Sequence, residues 1–304
     1  MLRKYASLLI LLSAILWAST GLFIRHFNTW GLDSMEIVEL RSISATVLLL
    51  LIILCYKPRM LRVRLRDLWC FLGSGVVSVT FFNFCYYSTI RELSLSVAAT
   101  LLYTSPIFVM LFSALLFREK ISWRKILALL LAFSGCTLVS GVLGGGTVLS
   151  LRGLLLGLGS GLGYALYSIF SRLALNRGYS SLSITFYTFL FSSLGGAFLA
   201  DFGTITAALA SQGFSGIAFF CFYALLTTAL AYILYTVGLS CMENSRAAVL
   251  AAIEPVAATI FGLLFFREIP SLPMFIGMLL VLSSLFLLNQ KESTAEGKLR
   301  AGVS

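Results

Sequence analysis

Residues Leu93–Glu119 read LSLSVAATLLYTSPIFVMLFSALLFRE, and residues Met242–Glu268 read MENSRAAVLAAIEPVAATIFGLLFFRE. Laid over one another at a shift of 149 residues, they agree at 10 of 27 positions, including Ser96/Ser245, Pro106/Pro255, Arg118/Arg267 and Glu119/Glu268. Apolar chains agree by chance among their aliphatic residues, so the polar and proline matches carry the weight. A second correspondence, at a shift of 147, pairs Trp17 with Tyr164, Ala18 with Ala165, Phe23 with Phe170 and Arg25 with Arg172. Self-similarity at a fixed offset marks an internal repeat. The chain divides into a first repeat over 1–146, a second over 147–290 and a short hydrophilic tail over 291–304.

Each repeat is built of membrane-spanning stretches. The 304-residue chain is 59% hydrophobic and only 11% charged, against roughly 25% charged in soluble domains. Tyr5–Ile24, Leu68–Ile90, Leu93–Phe117, Ile126–Leu151, Gly178–Ala200 and Ile269–Gln290 carry no Asp, Glu, Lys or Arg. Each is long enough for the ~20 residues that cross a hydrocarbon core. Residues 34–56, 152–172 and 245–266 read as further spans. Within the uncharged stretch Phe202–Met242, Phe214–Leu239 reads as a span and Phe202–Gly213 as a loop. Backbone groups find no partner in lipid, so spans are helices or a closed barrel. Continuous apolar runs without two-residue alternation exclude the barrel. The expectation is an all-α membrane protein with ten transmembrane helices, five per repeat.

The net charge of +10 is distributed by side. With the N-terminus placed in the cytoplasm, 17 Lys and Arg fall on the cytoplasmic side, 4 on the outer side, and Arg41 lies inside a span. This is the positive-inside pattern, with both termini cytoplasmic, for a multi-pass protein of the cytoplasmic (inner) membrane. The basic charge reports orientation and contact with anionic lipid, and requires no nucleic acid. Five is odd, so the second repeat enters from the opposite side. Inverted repeats typify secondary transporters, whose halves expose a midplane site alternately to each side.

The segments AATLLYTSPIFVMLFSALLFREKISWRKILALLLAFSGCTLV and NSRAAVLAAIEPVAATIFGLLFFREIPSLPMFIGMLLVLSSLFLL resemble the two EamA-type halves of the drug/metabolite transporter superfamily, and the resemblance extends over residues 5–289. It implies a ten-helix carrier whose central cavity is lined by the first four helices of each half. The fifth helix of each half would be peripheral, often serving dimer contacts. The family moves amino acids, other metabolites, nucleotide sugars and drugs.

Pro106 and Pro255 stand near the middle of the fourth and ninth spans. Proline removes a backbone donor and clashes with the preceding turn, so both helices should kink. Matched interruptions point towards a binding site, although they also simply shape a bundle. Glu254, just before Pro255, is the one acid near mid-span. A carboxylate there must be protonated, paired or facing water. It reads either as a proton-coupling or cation-binding group, or as a neutral acid held within the kink. The matching residue in the first half is Ser105. In the second span Glu36 and Glu39 share a helical face while Arg41 points elsewhere. Glu39 and Arg41 read as a structural or gating charge set, with Arg41 near the outer interface.

Polar and aromatic residues recur at helical spacing. Trp17 and Thr20, Asn83 and Tyr87, Tyr103, Tyr164 and Tyr167, and Thr228 and Tyr232 fall on helices that the resemblance places around the cavity. With Glu254 they form the candidate substrate-binding set, each also fit for interhelical packing. The glycines Gly153, Gly157 and Gly161 suit close helix approach. The single His26 and six unpaired-looking cysteines indicate no metal, and no nucleotide fingerprint appears, so no cofactor and no catalytic residue are expected. The partners are a small solute, membrane lipid and, as coupling ion, the proton, in a monomer or homodimer. The first reading is a secondary carrier exporting a small metabolite such as an amino acid. The alternative is an uptake permease for a small cationic or zwitterionic nutrient. An intramembrane enzyme or sensor would need reactive pairs or an output domain, neither of which is visible.

Overall fold

Ser34, the first residue after Asp33, opens a 23-residue helix that runs to Tyr56 before Pro58 stops it, and the rest of the chain repeats this plan of apolar helix and short turn. The computed structural model describes residues 2–142 and 150–289; the tail 291–304 and the repeat boundary at 146/147 lie outside them. Every regular element among the described residues is helical. Seven helical stretches are long and apolar enough to cross a membrane: α1 (Lys4–Asn28), α2 (Ser34–Tyr56), α3 (Leu65–Glu92), α4 (Leu95–Phe117), α6 (Leu151–Asn176), α8 (Phe202–Leu239) and α9 (Asn244–Phe266). Shorter helices α5 (Trp123–Val139), α7 (Ser181–Gly196) and α10 (Leu272–Asn289) complete the chain.

Two expected boundaries are corrected. The span read over Ile126–Leu151 stops at Val139 and turns at Gly141, whose φ of +74° only glycine adopts freely. The loop read over Phe202–Gly213 is helical. Asp201 caps it, accepting from the Gly203 amide at 2.9 Å and the Thr204 hydroxyl at 2.7 Å. Ile205 and Ala208 then bury one face against Phe27, Ile37 and Tyr223. The chain reverses its helical path at Gly213 (φ +63°).

The two halves interleave. Helix α1 packs on α8 and α9, α2 on α7 and α8, and both α3 and α4 pack on α6. Helix α5 packs along α10, where a side chain on Gly135 would stand 2.6 Å from the Gly277 carbonyl and the reverse holds for Gly277. The glycines of α6 serve the same purpose: a Cβ at Gly163 would lie 3.0 Å from the Phe82 backbone. Ion pairs fasten the two ends of the bundle. Lys125–Glu243 (2.6 Å) and Arg177–Asp67 (3.1 Å) lie at the end where α1 begins, here the near end. Arg25–Glu268 (2.8 Å) and Arg91–Asp33 (3.0 Å) lie at the far end.

Four of the helices are interrupted at matching places. The ladder of α4 opens at Tyr103–Thr104 and that of α9 at Ala252–Ile253, each one turn before its proline. The third helix of each half holds a wider π-helical stretch, Gly73–Thr80 in α3 and Leu225–Leu230 in α8. Such stretches recur at functional sites.

Candidate functional site

The break in α9 makes Glu254 the first residue of a new helical segment, Glu254–Phe266. Pro255 has no amide to donate to the preceding turn, and the positive end of the segment's dipole favours an anion. The Tyr164 hydroxyl of α6 donates to Glu254 Oε2 at 3.2 Å. Glu254 retains part of its surface although it sits ten residues into α9 and its neighbours Tyr164, Tyr103 and Arg41 come from three other helices. Glu254 is thus partly exposed within its helix, with the Tyr164 hydroxyl at its carboxylate. Tyr86, Tyr87, Tyr103 and Tyr164 share this half-buried state, as does Thr20 on α1.

Across the bundle from Glu254, and within its electrostatic reach, stands Arg41. Its guanidinium is buried among the phenols of Tyr223, Tyr232 and Tyr87, and its Nη2 lies 3.5 Å from Asn83 Oδ1. Asn83 is aimed by its own amide, which donates to the Val79 carbonyl at 2.7 Å. Arg41 Nε has no hydrogen-bond partner among the described residues. The side chain is buried within the bundle, with Asn83 as its partner. Glu39 turns the other way, its Oε2 packed against Gly196 and its Oε1 without a partner among the described residues. Glu36 leaves for the far end, accepting from the Asp201 amide at 3.3 Å.

Beneath these charges lies a packed aromatic layer. Trp17 meets Tyr232 at 5.0 Å and Tyr164 at 5.9 Å between ring centroids, and Tyr232 meets Tyr167 at 4.9 Å, all edge to face. Tyr167 and Thr236 share a 2.7 Å hydrogen bond, as do Ser168 and Tyr235. The space bounded by Trp17, Ser78, Phe82, Tyr164, Tyr167 and Tyr232 is about 10 Å³, room for a single water. Of the expected set, the structure therefore gathers Trp17, Tyr164, Tyr167 and Tyr232 in one closed cluster. Asn83 and Tyr87 stand at Arg41, and Tyr103 near Glu254. Thr228 is fully buried in the π-helical stretch, its hydroxyl without a partner among the described residues. Pro106 and Pro255 each sit one residue past the opening of their second segment.

Tyr223 was not among the residues singled out by spacing. Counting back from Tyr232 and Thr228 at 3.6 residues per turn leads to Ala224 or Leu225. The π-helical turns of Leu225–Leu230 use an extra residue, and so bring Tyr223 to the guanidinium.

The EamA-like transporter family matches this chain twice, over residues 4–141 and 151–290. An uncharacterized transporter of Archaeoglobus fulgidus is 29% identical over 292 residues, covering 93% of this chain and 96% of its own. YxxF of Bacillus subtilis, also an uncharacterized transporter, is 26% identical over 294 residues, with 94% and 89% covered. YicL of Salmonella typhimurium, described as an uncharacterized inner membrane transporter, is 24% identical over 286 residues, with 92% and 93% covered. A solved crystal structure with 17% identity superposes at a TM-score of 0.74, covering 94% of this chain and 97% of that one, and so shares the fold. With a description that fits nearly the whole length and helices that cross a membrane repeatedly, this chain belongs to the EamA-like transporter family and is a multi-pass membrane transporter.

Proposed function

We propose that the protein is a secondary transporter that carries a small metabolite, an amino acid or a related compound, out of the cell by alternating access. In this reading the shorter helices α5, α7 and α10 cross with the seven longer ones, giving ten spans in two inverted halves. Both termini lie in the cytoplasm and the protein resides in the inner membrane, as the 17-to-4 bias of basic residues favours. The observation that carries the reading is the partly exposed Glu254 at a helix break, bonded by the Tyr164 hydroxyl and within electrostatic reach of Arg41. Ionisable groups inside a membrane protein are costly and rare, and they mark solute and ion pathways. A zwitterion answers both: its carboxylate suits Arg41, its ammonium suits Glu254, and phenol faces receive the cation. The same pairing favours, as a second reading, an uptake permease for a small zwitterionic or cationic nutrient.

Proton coupling would run through Glu254, since a driving ion must bind differently when cargo is present. Glu254→Gln has nearly the same size but cannot release a proton. In proteoliposomes the variant, lacking the carboxylate that meets the ammonium, should exchange the solute more weakly and lose accumulation driven by a pH gradient by about tenfold or more, the equivalent of 1.4 kcal/mol of coupling. Equal gradient-driven accumulation by variant and parent would remove Glu254 from the coupling step.

A further inference from the structure

The ends of α4 and α9 have the same backbone and opposite engagements. Arg118 and Arg267 close their helices in the left-handed conformation, with φ of 56° and 57°. The next amide folds back in both, Glu119 to the Ser113 carbonyl and Glu268 to the Gly262 carbonyl, each at 3.2 Å. From this common base the Glu119 carboxylate crosses to the start of α9. It accepts from the Asn244 amide at 2.7 Å, the Ser245 amide at 3.2 Å and the Ser245 hydroxyl at 2.6 Å. Arg172 tightens the same joint, donating to Asn244 Oδ1 at 2.6 Å and to the Met242 carbonyl. Asn244 and Ser245 are wholly enclosed.

At the far end Glu268, Ser96 and Arg25 match Glu119, Ser245 and Arg172 but are not engaged in this way. Glu268 is drawn to Arg25 at 2.8 Å. The start of α4 holds Ser96 where α9 has Ser245, yet Leu95, the counterpart of Asn244, is 61% exposed. Ser94 caps that turn by itself, accepting from the Val97 amide at 3.3 Å. Arg25, the counterpart of Arg172, is occupied with Glu268 and lies over the Phe266 ring.

We infer that Glu119 and Glu268 are a pair of alternating latches, and that the structure captures the state closed at the near end. In the opposite state Glu119 releases α9, Glu268 leaves Arg25, and its carboxylate caps the Leu95 and Ser96 amides at the start of α4. Arg25 then turns to the Leu93 carbonyl as Arg172 now does to Met242. Charge-assisted bonds from a carboxylate to helix N-terminal amides are strong enough to set such a balance, and the helix dipole adds to them. The inference rests on the alternating-access reading above, and assigns the residues that hold each of its two closed ends.

Amide hydrogen exchange of the full chain in lipid nanodiscs tests this without any solute. In the parent, the segment 242–250 should exchange slowly and 93–101 quickly. Glu119→Ala removes the engaged latch, so 242–250 should speed up and 93–101, at the other end of the bundle, should slow by about tenfold. Ser245→Ala removes one bond and keeps the carboxylate, and should move both segments in the same directions by a smaller factor. Ser96→Ala weakens only the opposite state, and should leave 242–250 at least as protected as in the parent. A local cap would produce only the first change. Unaltered exchange at 93–101 in both Glu119→Ala and Ser245→Ala overturns the latch pair while leaving the transport reading standing. Reciprocal exchange in a protein that moves no solute in proteoliposomes would leave the latches in place and overturn the transport reading.

Discussion

Helices α4 and α9 break at corresponding residues and then part company in chemistry. Both open one turn before a proline, both begin a second segment with the residue before it, and both end on a left-handed arginine. In α4 that first residue is Ser105, almost fully buried; in α9 it is Glu254, partly exposed and hydrogen-bonded by Tyr164. The interruption is therefore common architecture, while the acid is a feature of one half. Each proline withholds one amide from the turn before it, but only the α9 break carries an ionisable group. The weak bond from the Cys136 thiol to the Ala252 carbonyl, at 3.8 Å, shows how the α9 break is partly satisfied from α5.

The largest expected effect comes from forcing the two breaks to be alike. Ser105→Glu would place a carboxylate where no crevice receives it, and an unpaired buried charge costs about 3–5 kcal/mol. Its thermal melt in detergent should fall far below that of the parent; an unchanged melt would mean that the α4 break has its own polar space. A smaller effect is expected from Tyr164→Phe, which removes the one hydroxyl bound to Glu254. Losing about 1 kcal/mol of hydrogen bonding should weaken solute binding roughly fivefold, read by calorimetry with the transported solute. If binding is unaltered, the Tyr164 contact is packing alone. Smallest of all should be Pro106→Ala, since surrounding helices hold the bend. Its melt should stay within about 1 kcal/mol of the parent, and a larger loss would make the proline itself the keeper of the break.

Much of this was legible in the residues. Charge-free runs locate most helices because lipid penalises every unmatched polar group, and Pro106 and Pro255 announce the two breaks. Trp17, Tyr164, Tyr167 and Tyr232 meet because helical spacing keeps them on inward faces. Less legible was whatever depends on departures from regular spacing. The π-helical turns in α3 and α8 leave no compositional mark, which hid Tyr223. The uncharged stretch Phe202–Gly213 reads as a loop, yet Asp201 caps it into a helix packed on Phe27, Ile37 and Tyr223. The partners of Arg41 were not legible either, because Asn83 and Tyr223 come from α3 and α8, far away in sequence.

The interleaving of the halves has a consequence for how the chain is made. Arg41 and the Tyr223 that faces it are separated by about 180 residues, and α1 waits still longer for its partners on α9. At elongation rates of about 5–20 residues per second, α2 is complete roughly 8–33 s before Tyr223 is even synthesised. Throughout that interval Glu39 and Arg41 have no interior to enter. The first helices must therefore be held at the insertion machinery, or in contact with water, until the second half arrives to enclose them.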